Sequence, residues 1–439
     1  MWHSRSVARF ATSPKTMTQK KSWTVLVYLA GDNNLDEAGV ADLTEMKKVG
    51  STDHLNIVAQ VDRATAGVST RRYYLRKGTT LSRDSVADLG ETNMGDPAVL
   101  QDFLTWGMKK YPAERYLVVL WNHGNGWDDT DVYHVARKVV GRRITRSSGT
   151  PGAVSVDQVR SVGARFKRAL FSTSVAAAVA KRGIAYDDNA QDFLDNLELK
   201  KVLESVAKTL GRKIDVVGMD ACLMSMAEVL YQLRGAVGCT VGSEEVEPGD
   251  GWPYDKILGV LAKTPSLTGP QLALAVVKAY LASYGKNDNV TQSAFDLSLV
   301  TSAATAIDTL ARALKTALAQ PAARAGILAA RTQVQTFDHG ERDYIDLLDF
   351  CDLLDQHVAV PAVTAATKNA RKVLNGNFLV ATGNRGPDVA HAQGVSIYFP
   401  ARRFSATSAL TPLYATLDFT KHTVWDEFLV AYLNATSRR

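Results

Sequence analysis

A chain of 439 residues, 46% apolar and 22% charged, has globular composition and the length of two to three domains around a large core. Its 13 prolines and 31 glycines are too few for a collagenous or low-complexity chain. No stretch approaches the roughly 18 uninterrupted apolar residues of a membrane-spanning helix, so a fibre and an integral membrane protein are excluded. The net charge of +6 is local: residues 1–31 carry five basic residues and no acid, and 137–182 carry eleven against the single Asp157. Removing those segments from the totals of 51 and 45 leaves 35 basic and 44 acidic residues, a body of −9 with no footprint for a phosphate backbone. Nucleic acid is not an expected partner. Cys222, Cys239 and Cys351 are too few, odd in number and widely spaced for a disulfide framework or a zinc motif.

Residues 1–22, rich in Ser and Arg, read as a disordered or targeting tail, with Met17 an alternative start. Trp23–Ala30 is a β-branched apolar run ended by Gly31-Asp32-Asn33-Asn34, a buried strand entering a turn, and Leu35, Leu43, Met46 and Val49 then recur at helical spacing. Strands follow at Leu55–Val61 and Arg71–Leu75, a helix opens at Pro97, and Tyr116–Trp121 is another buried strand. Residues 129–183 fit neither period and read as a basic, turn-rich insertion, with one helical turn at Val175–Ala180. The alternation resumes with a helix at Leu197–Leu210, a strand at Ile214–Met219, a helix at Met224–Leu233 and a strand at Cys239–Ser243. Such alternation implies parallel strands with crossover helices on both faces. Helices near 300–319, 344–355 and 361–375, strands Phe378–Thr382 and Gly394–Phe399 and a last helix near Trp425 read as a second, smaller α/β layer.

In open α/β sheets, functional groups collect beyond the carboxyl ends of the strands. One end runs into Asn122-His123-Gly124-Asn125-Gly126-Trp127, another into Asp220-Ala221-Cys222-Leu223-Met224. A cysteine at a strand-to-helix turn lies near the positive helix end, which favours the thiolate, and a histidine at a comparable end can carry its proton. The N–H groups of Gly124 and Cys222 would then form an oxyanion hole. Each residue also has a plainer reading: Cys222 as a core thiol, His123 as a hydrogen-bonded loop residue, Asp220 as a helix cap and Asp250 as a turn residue. Glu244, Glu245 and Glu247 read as a solvated charge cluster, Trp252 and Trp127 as cleft walls or packing groups, and Cys239 and Cys351 as core residues.

These ends resemble the cysteine peptidases that include caspases, legumains, gingipains and clostripain. VLVYLAGDNNL, VVLWNHGNGW, AYDDN, VVGMDACLMSMAEV and VGSEEVEPGDGWPY are similar in content and order to the landmark blocks of the clostripain family, over residues 22–260. The resemblance implies a caspase-like α/β/α sandwich with a mostly parallel central sheet at 23–285 and a C-terminal α/β region at 286–439. It implies a His123/Cys222 dyad and cleavage after Arg or Lys, with Asp220, Asp250 and Trp252 at the substrate pocket and Glu244, Glu245 and Glu247 as rivals for its counter-charge. The chemistry requires no cofactor, although the family makes calcium possible, with Asp32, Asp187, Asp188 and Asp192 as candidate ligands. Self-cleavage within 137–182 is expected after Arg182, with Arg168 and Arg146 as alternatives, and the protein is expected to be a monomer acting on Arg/Lys-containing peptides or proteins. Many relatives are secreted, but no secretory signal is readable here, which favours the cytoplasm. The competing readings are a catalytically idle peptide-binding relative and another cysteine-dependent hydrolase or acyltransferase.

Overall fold

The computed structural model describes residues 20–33, 35–65, 67–124, 126, 184–187, 192–337, 343–400 and 414–436. At its centre β1 (Lys21–Gly31) pairs in parallel with β2 (Leu55–Arg63) on one side and β5 (Ala113–Trp121) on the other, with Val25 opposite both Ile57 and Leu117. Beyond β5, β8 (Ile214–Asp220) and β9 (Val237–Gly242) continue in parallel. These five strands are flanked by antiparallel pairs: β3 (Arg71–Tyr74) and β4 (Ser85–Asp88) at one edge, β10 (Val290–Asp296) and β13 (Leu379–Arg385) at the other. The short β6 (Ile184–Asp187) and β7 (Asp192–Leu194) form a separate two-stranded sheet against β1 and β5.

The continuous apolar run of β1 makes sense in this position, because a central strand of a sandwich buries both faces. Leu26, Tyr28 and Ala30 face one core and Trp23, Val25, Val27 and Leu29 the other. Helices α1 (Asp36–Val49), α6 (Tyr254–Lys263) and α7 (Gly269–Ser283) cover the second face. On the first lie α3 (Pro97–Lys110), α4 (Asn196–Leu210) and α5 (Ala227–Leu233). Local signals set the helix ends. Asp96 caps α3 through the Ala98 N–H at 2.8 Å with Pro97 behind it, and Asp195 and Glu198 form a reciprocal capping box on α4. Gly211, at φ 74°, closes α4 in the left-handed conformation that glycine adopts without strain.

The chain after residue 286 is not a separate layer, since β10 and β13 complete the main sheet. The remainder is a small sheet, β11 (Thr336–Phe337), β12 (Tyr344–Asp346) and β14 (Ser396–Tyr398), with α8 (Val300–Ala317), α9 (Pro321–Gln333), α10 (Leu347–His357), α11 (Pro361–Val373) and α13 (Trp425–Thr436). The helix expected at 344–355 starts only at Leu347. The residues before it pair with β14, and the Asp346 side chain then caps α10 through the Asp349 N–H at 2.7 Å.

This region is fastened to α5 through a buried carboxyl group. Glu228 Oε1 accepts hydrogen bonds from the Tyr398 N–H at 2.9 Å and the Tyr414 hydroxyl at 2.8 Å. Burial pushes Glu228 up from 4.5 to about 7, against those two bonds, so the fold prefers it protonated. Its contribution is complete below about pH 4.5 and is lost as pH rises towards 7, because the native state then binds the extra proton. Glu228→Gln, which keeps the acceptor and cannot ionise, is expected to flatten the decline in urea stability across this interval by up to about 1.4 kcal/mol per pH unit. Parallel stability–pH curves for wild type and variant would contradict the assignment.

Candidate active site

The register of β5 and β8 sets the site. Trp121 stands opposite Asp220 as the last pair of the ladder, and the Asn122 N–H still reaches the Asp220 carbonyl at 3.3 Å. His123 and Cys222 each lie two residues beyond that pair, on strands that are hydrogen-bonded neighbours, and both line one cleft. Asn122 orients the turn from below: its amide donates to the Ala30 carbonyl of β1, and its side-chain oxygen accepts from the His123 N–H. Sequence reasoning placed Asn122 in the motif without a role, because its partner lies 92 residues away.

Gly124 is required by close approach. A Cβ there would meet the Cys222 carbonyl oxygen at 2.4 Å and the Ala221 Cβ at 2.9 Å, and a strand-end backbone cannot withdraw as a side chain would. That approach points the Gly124 N–H at Sγ of Cys222, and the Glu247 N–H donates to Sγ at 3.3 Å. Beside the thiol, Leu223 is buried at φ 64°, a conformation L-residues adopt at a cost of about 1–2 kcal/mol.

The expectation that a helix N-terminus lowers the Cys222 pKa is corrected. Helix α5 begins at Ala227, not Met224, so four residues separate Cys222 from the first helical turn. Cys222 is 3% exposed, and burial pushes its thiol far above the usual range, with Glu247 and Glu245 adding to the effect and the two N–H groups opposing it. The cleft between His123 and Cys222 has a volume of about 30 Å³, room for a water molecule and too little for a long side chain. The geometry is that of a closed site.

The glutamates are not a solvated cluster. Glu244 is 1% and Glu247 6% exposed, while Glu245 is half-buried. Glu244 accepts from the Gly394 N–H at 2.8 Å and shares a proton with Asp346; burial, then Asp346, drives it well above the carboxylate range. Glu247 enters the cleft beside Asp220. Asp220 accepts from the Tyr254 hydroxyl at 2.7 Å and the Trp252 N–H at 3.3 Å, and burial lifts it to about 6. Asp42 accepts from the Trp121 indole at 2.7 Å and is pushed to about 9 by burial and then by Asp220. Neither Asp42 nor the depth of Glu247 was legible in the sequence, since both depend on packing between distant segments.

Asp250 is exposed and lines an open depression of about 550 Å³ next to the cleft, together with Glu45, Asp288 and Tyr284. Trp252 does not wall the cleft: it is fully buried, its ring filling the space a Cβ on Gly218 of β8 would take. Cys239 and Cys351 are core residues. Among the described residues, carboxylate oxygens of Asp32, Asp62 and Glu91 lie within 4.8 Å of one another. Asp32, one of the calcium candidates named from sequence, belongs to this group, and the side chains of Asp187 and Asp192 lie outside the described residues. Trp127, Asp188, the Val175–Ala180 turn and Arg146, Arg168 and Arg182 lie outside the described residues. No helix among the described residues is long and apolar enough to cross a membrane.

A buried thiol that titrates high alkylates slowly, since the thiolate is the nucleophile. Iodoacetamide is therefore expected to modify Cys222 of the folded, uncut chain at pH 8 at least about tenfold more slowly than free cysteine, by peptide mass spectrometry. Labelling at the free-thiol rate would show the site to be open.

The arrangement has counterparts. The clostripain family model matches residues 27–142 and 173–432. Clostripain from Hathewaya histolytica is 27% identical over 275 residues, which cover 56% of this chain and 43% of clostripain, so this chain spans less than half the length of that relative. Two solved structures share the fold. A secreted C11 cysteine protease from Bacteroides thetaiotaomicron, in complex with an irreversible peptide inhibitor, matches with TM-score 0.60 and 21% identity. An inactive zymogen C11 protease from Parabacteroides distasonis matches with TM-score 0.61 and 18% identity, and each match covers 92% of this chain and 99% of the other. With a family match running through both strand ends and most of the chain, and a sheet that matches its solved structures, this protein belongs to the clostripain family of cysteine peptidases.

Proposed function

We propose that the protein is an endopeptidase that cleaves after Arg or Lys through Cys222 and His123. The observation that carries this reading is that the two side chains share one cleft at the ends of adjacent parallel strands, above carboxylates, with no lysine or arginine among the described residues of its lining. In the first half-reaction the Cys222 sulfur attacks the scissile carbonyl carbon while His123 takes the thiol proton. The C–N bond then breaks and His123 returns the proton to the leaving amine. A water molecule, deprotonated by His123, releases the acyl group and restores the thiol. The N–H groups of Gly124 and Cys222 are suited to the oxyanion, and Asp220 and Asp250 supply the counter-charge for the substrate cation. An idle peptide-binding relative would have no need for the Gly124–Cys222 contact.

Calcium, by family resemblance, would be held by Asp32, Asp62 and Glu91, whose hard oxygen donors suit it, and would supply charge neutralisation between those carboxylates. The bond-breaking steps do not involve it.

Cys222→Ala and His123→Ala are each expected to lower turnover of fluorogenic Arg peptides by several orders of magnitude with the fold intact. Asp250→Asn should raise KM for Arg substrates more than for neutral ones. Cleavage by the Cys222→Ala protein at the wild-type rate, or a preference for Asp, Asn or large apolar residues, would overturn the reading.

The closed cleft supports activation by cutting. The 137–182 segment holds eleven Arg/Lys sites, and Arg182 is favoured over Arg168 and Arg146 because the family pattern resumes directly after it. Mass spectrometry of purified wild type should find two fragments, and of Cys222→Ala a single chain. A wild type that stays intact yet is fully active would remove the need for cleavage.

A further inference from the structure

The cleft floor holds two carboxyl groups in contact, and no described lysine or arginine lines it. Glu247 Oε1 accepts from the Gln292 side-chain amide at 3.1 Å, while its buried Oε2 has no well-formed hydrogen bond among the described residues; the carboxyl group lies against Asp220, with the Trp252 indole facing it. Asp220 spends one oxygen on Tyr254 and the Trp252 N–H. Two carboxyl groups this close cannot both ionise in a buried site, so they share one proton between them.

The groups facing the pair do not relieve it. Tyr254 of α6, Tyr280 of α7 and Tyr284 just after it are held neutral by burial, with the pair's own charge adding to the shift. Asp42 of α1 and Asp250 are further acids, Glu245 bears on the thiol from the same loop, and His123 and Cys222 stand at the mouth. No lysine or arginine is among them.

We propose, resting on the Arg/Lys reading above, that Glu247 is a specificity-determining residue and that the Glu247–Asp220 pair exchanges its shared proton for the substrate's cation. A guanidinium is a planar fork that takes one oxygen from each carboxylate, the positions the proton bridges in the empty site. Binding then runs as pair–H plus substrate cation to pair–substrate plus one released proton: no covalent bond of the substrate changes, and the proton leaves to solvent. Citrulline has nearly the same shape and no charge, so it cannot displace the proton. Discrimination between the two is thereby tied to pH: a step that releases one proton gains tenfold in equilibrium constant for each unit of pH rise while the pair still holds its proton.

The test is the ratio of kcat/KM for matched peptides with arginine and citrulline before the scissile bond, measured from pH 5 to 8 on the activated enzyme. Taking the ratio cancels the ionisations of His123 and Cys222, which both substrates need equally. In wild type the ratio should rise with pH across the whole range, approaching tenfold per unit, and Glu247→Gln should give a lower ratio that levels off once Asp220, alone in the pocket and lifted to about 6 by burial, has ionised. Calorimetry of an arginine aldehyde peptide on wild type, in phosphate and Tris buffers at pH 6.5, should count about one more proton released than the citrulline aldehyde, independently of any variant's folding. A wild-type ratio well above one but flat with pH, a rise between pH 7 and 8 that survives unchanged in Glu247→Gln, or equal proton counts would each overturn the exchange while leaving the Arg/Lys preference standing. A ratio near one at every pH would overturn the preference and this inference with it.

Discussion

The ladder between β5 and β8 is the constraint on which the rest depends. Parallel neighbours lie about 4.8 Å apart and end together only when their register is in phase, and here the phase is set by Trp121 opposite Asp220. A slip of one residue would send every side chain of β8 to the other face and move Cys222 away from His123. The register is strongly specified because both strands bury both faces. The site therefore inherits its precision from the core, and the two loops add only the last residues: a glycine that lets the backbones touch and a leucine held at positive φ.

Much of this was legible. The apolar runs at Trp23–Ala30, Leu55–Val61, Tyr116–Trp121 and Ile214–Met219 are the four strands of the parallel core that read most clearly, since a strand buried on both faces must be continuously apolar. The strand ends carrying His123-Gly124 and Asp220-Ala221-Cys222 stood out for the same reason. The glutamates misread because a Glu-Glu-Val-Glu run normally lies in water. Glu244 is buried by Gly394 and Asp346, and Glu247 by Gln292, partners 45 to 150 residues away. Trp252 misread because Gly218, whose missing side chain makes its slot, carries no mark of that use. β12 was taken into a helix because Asp346 serves as both strand end and cap.

The same long-range contacts explain the C-terminal region. The loop after Cys222 is held by neighbours on both sides: the Ser225 N–H donates to the Ser243 carbonyl at 2.9 Å, and the Ser225 carbonyl accepts from the Ser396 N–H at 3.0 Å. Glu228 and Glu244 bind the start and end of that neighbourhood to Tyr398 and Gly394. Each such bond is worth about 1 kcal/mol net, and losing one partner leaves a buried polar group that costs more. A strained Leu223 persists only where its surroundings over-determine it, and the region beyond 286 supplies part of that surrounding. The thiol is thus positioned by the whole chain and not by a catalytic half with an appendage.

What the fold leaves unbalanced is charge. Elsewhere the fold uses two arrangements: Glu228 and the Glu244–Asp346 pair are held by hydrogen bonds, while Asp84 takes Lys47 and Arg76 and the half-buried Asp418 takes Lys200 and Arg234. Asp84 and Asp418 titrate below the usual range despite their burial, as paired acids do. Around the cleft the second arrangement is inverted. Asp42, Asp220 and Glu247 are buried against one another and against tyrosines, and all three titrate high. Folding alone does not favour such a cluster, because each member costs desolvation and repels the next. Among the described residues no cation offsets it. Neighbouring acids that folding does not favour mark a functional site more often than a structural one, and here they lie directly beneath the strand ends that carry His123 and Cys222.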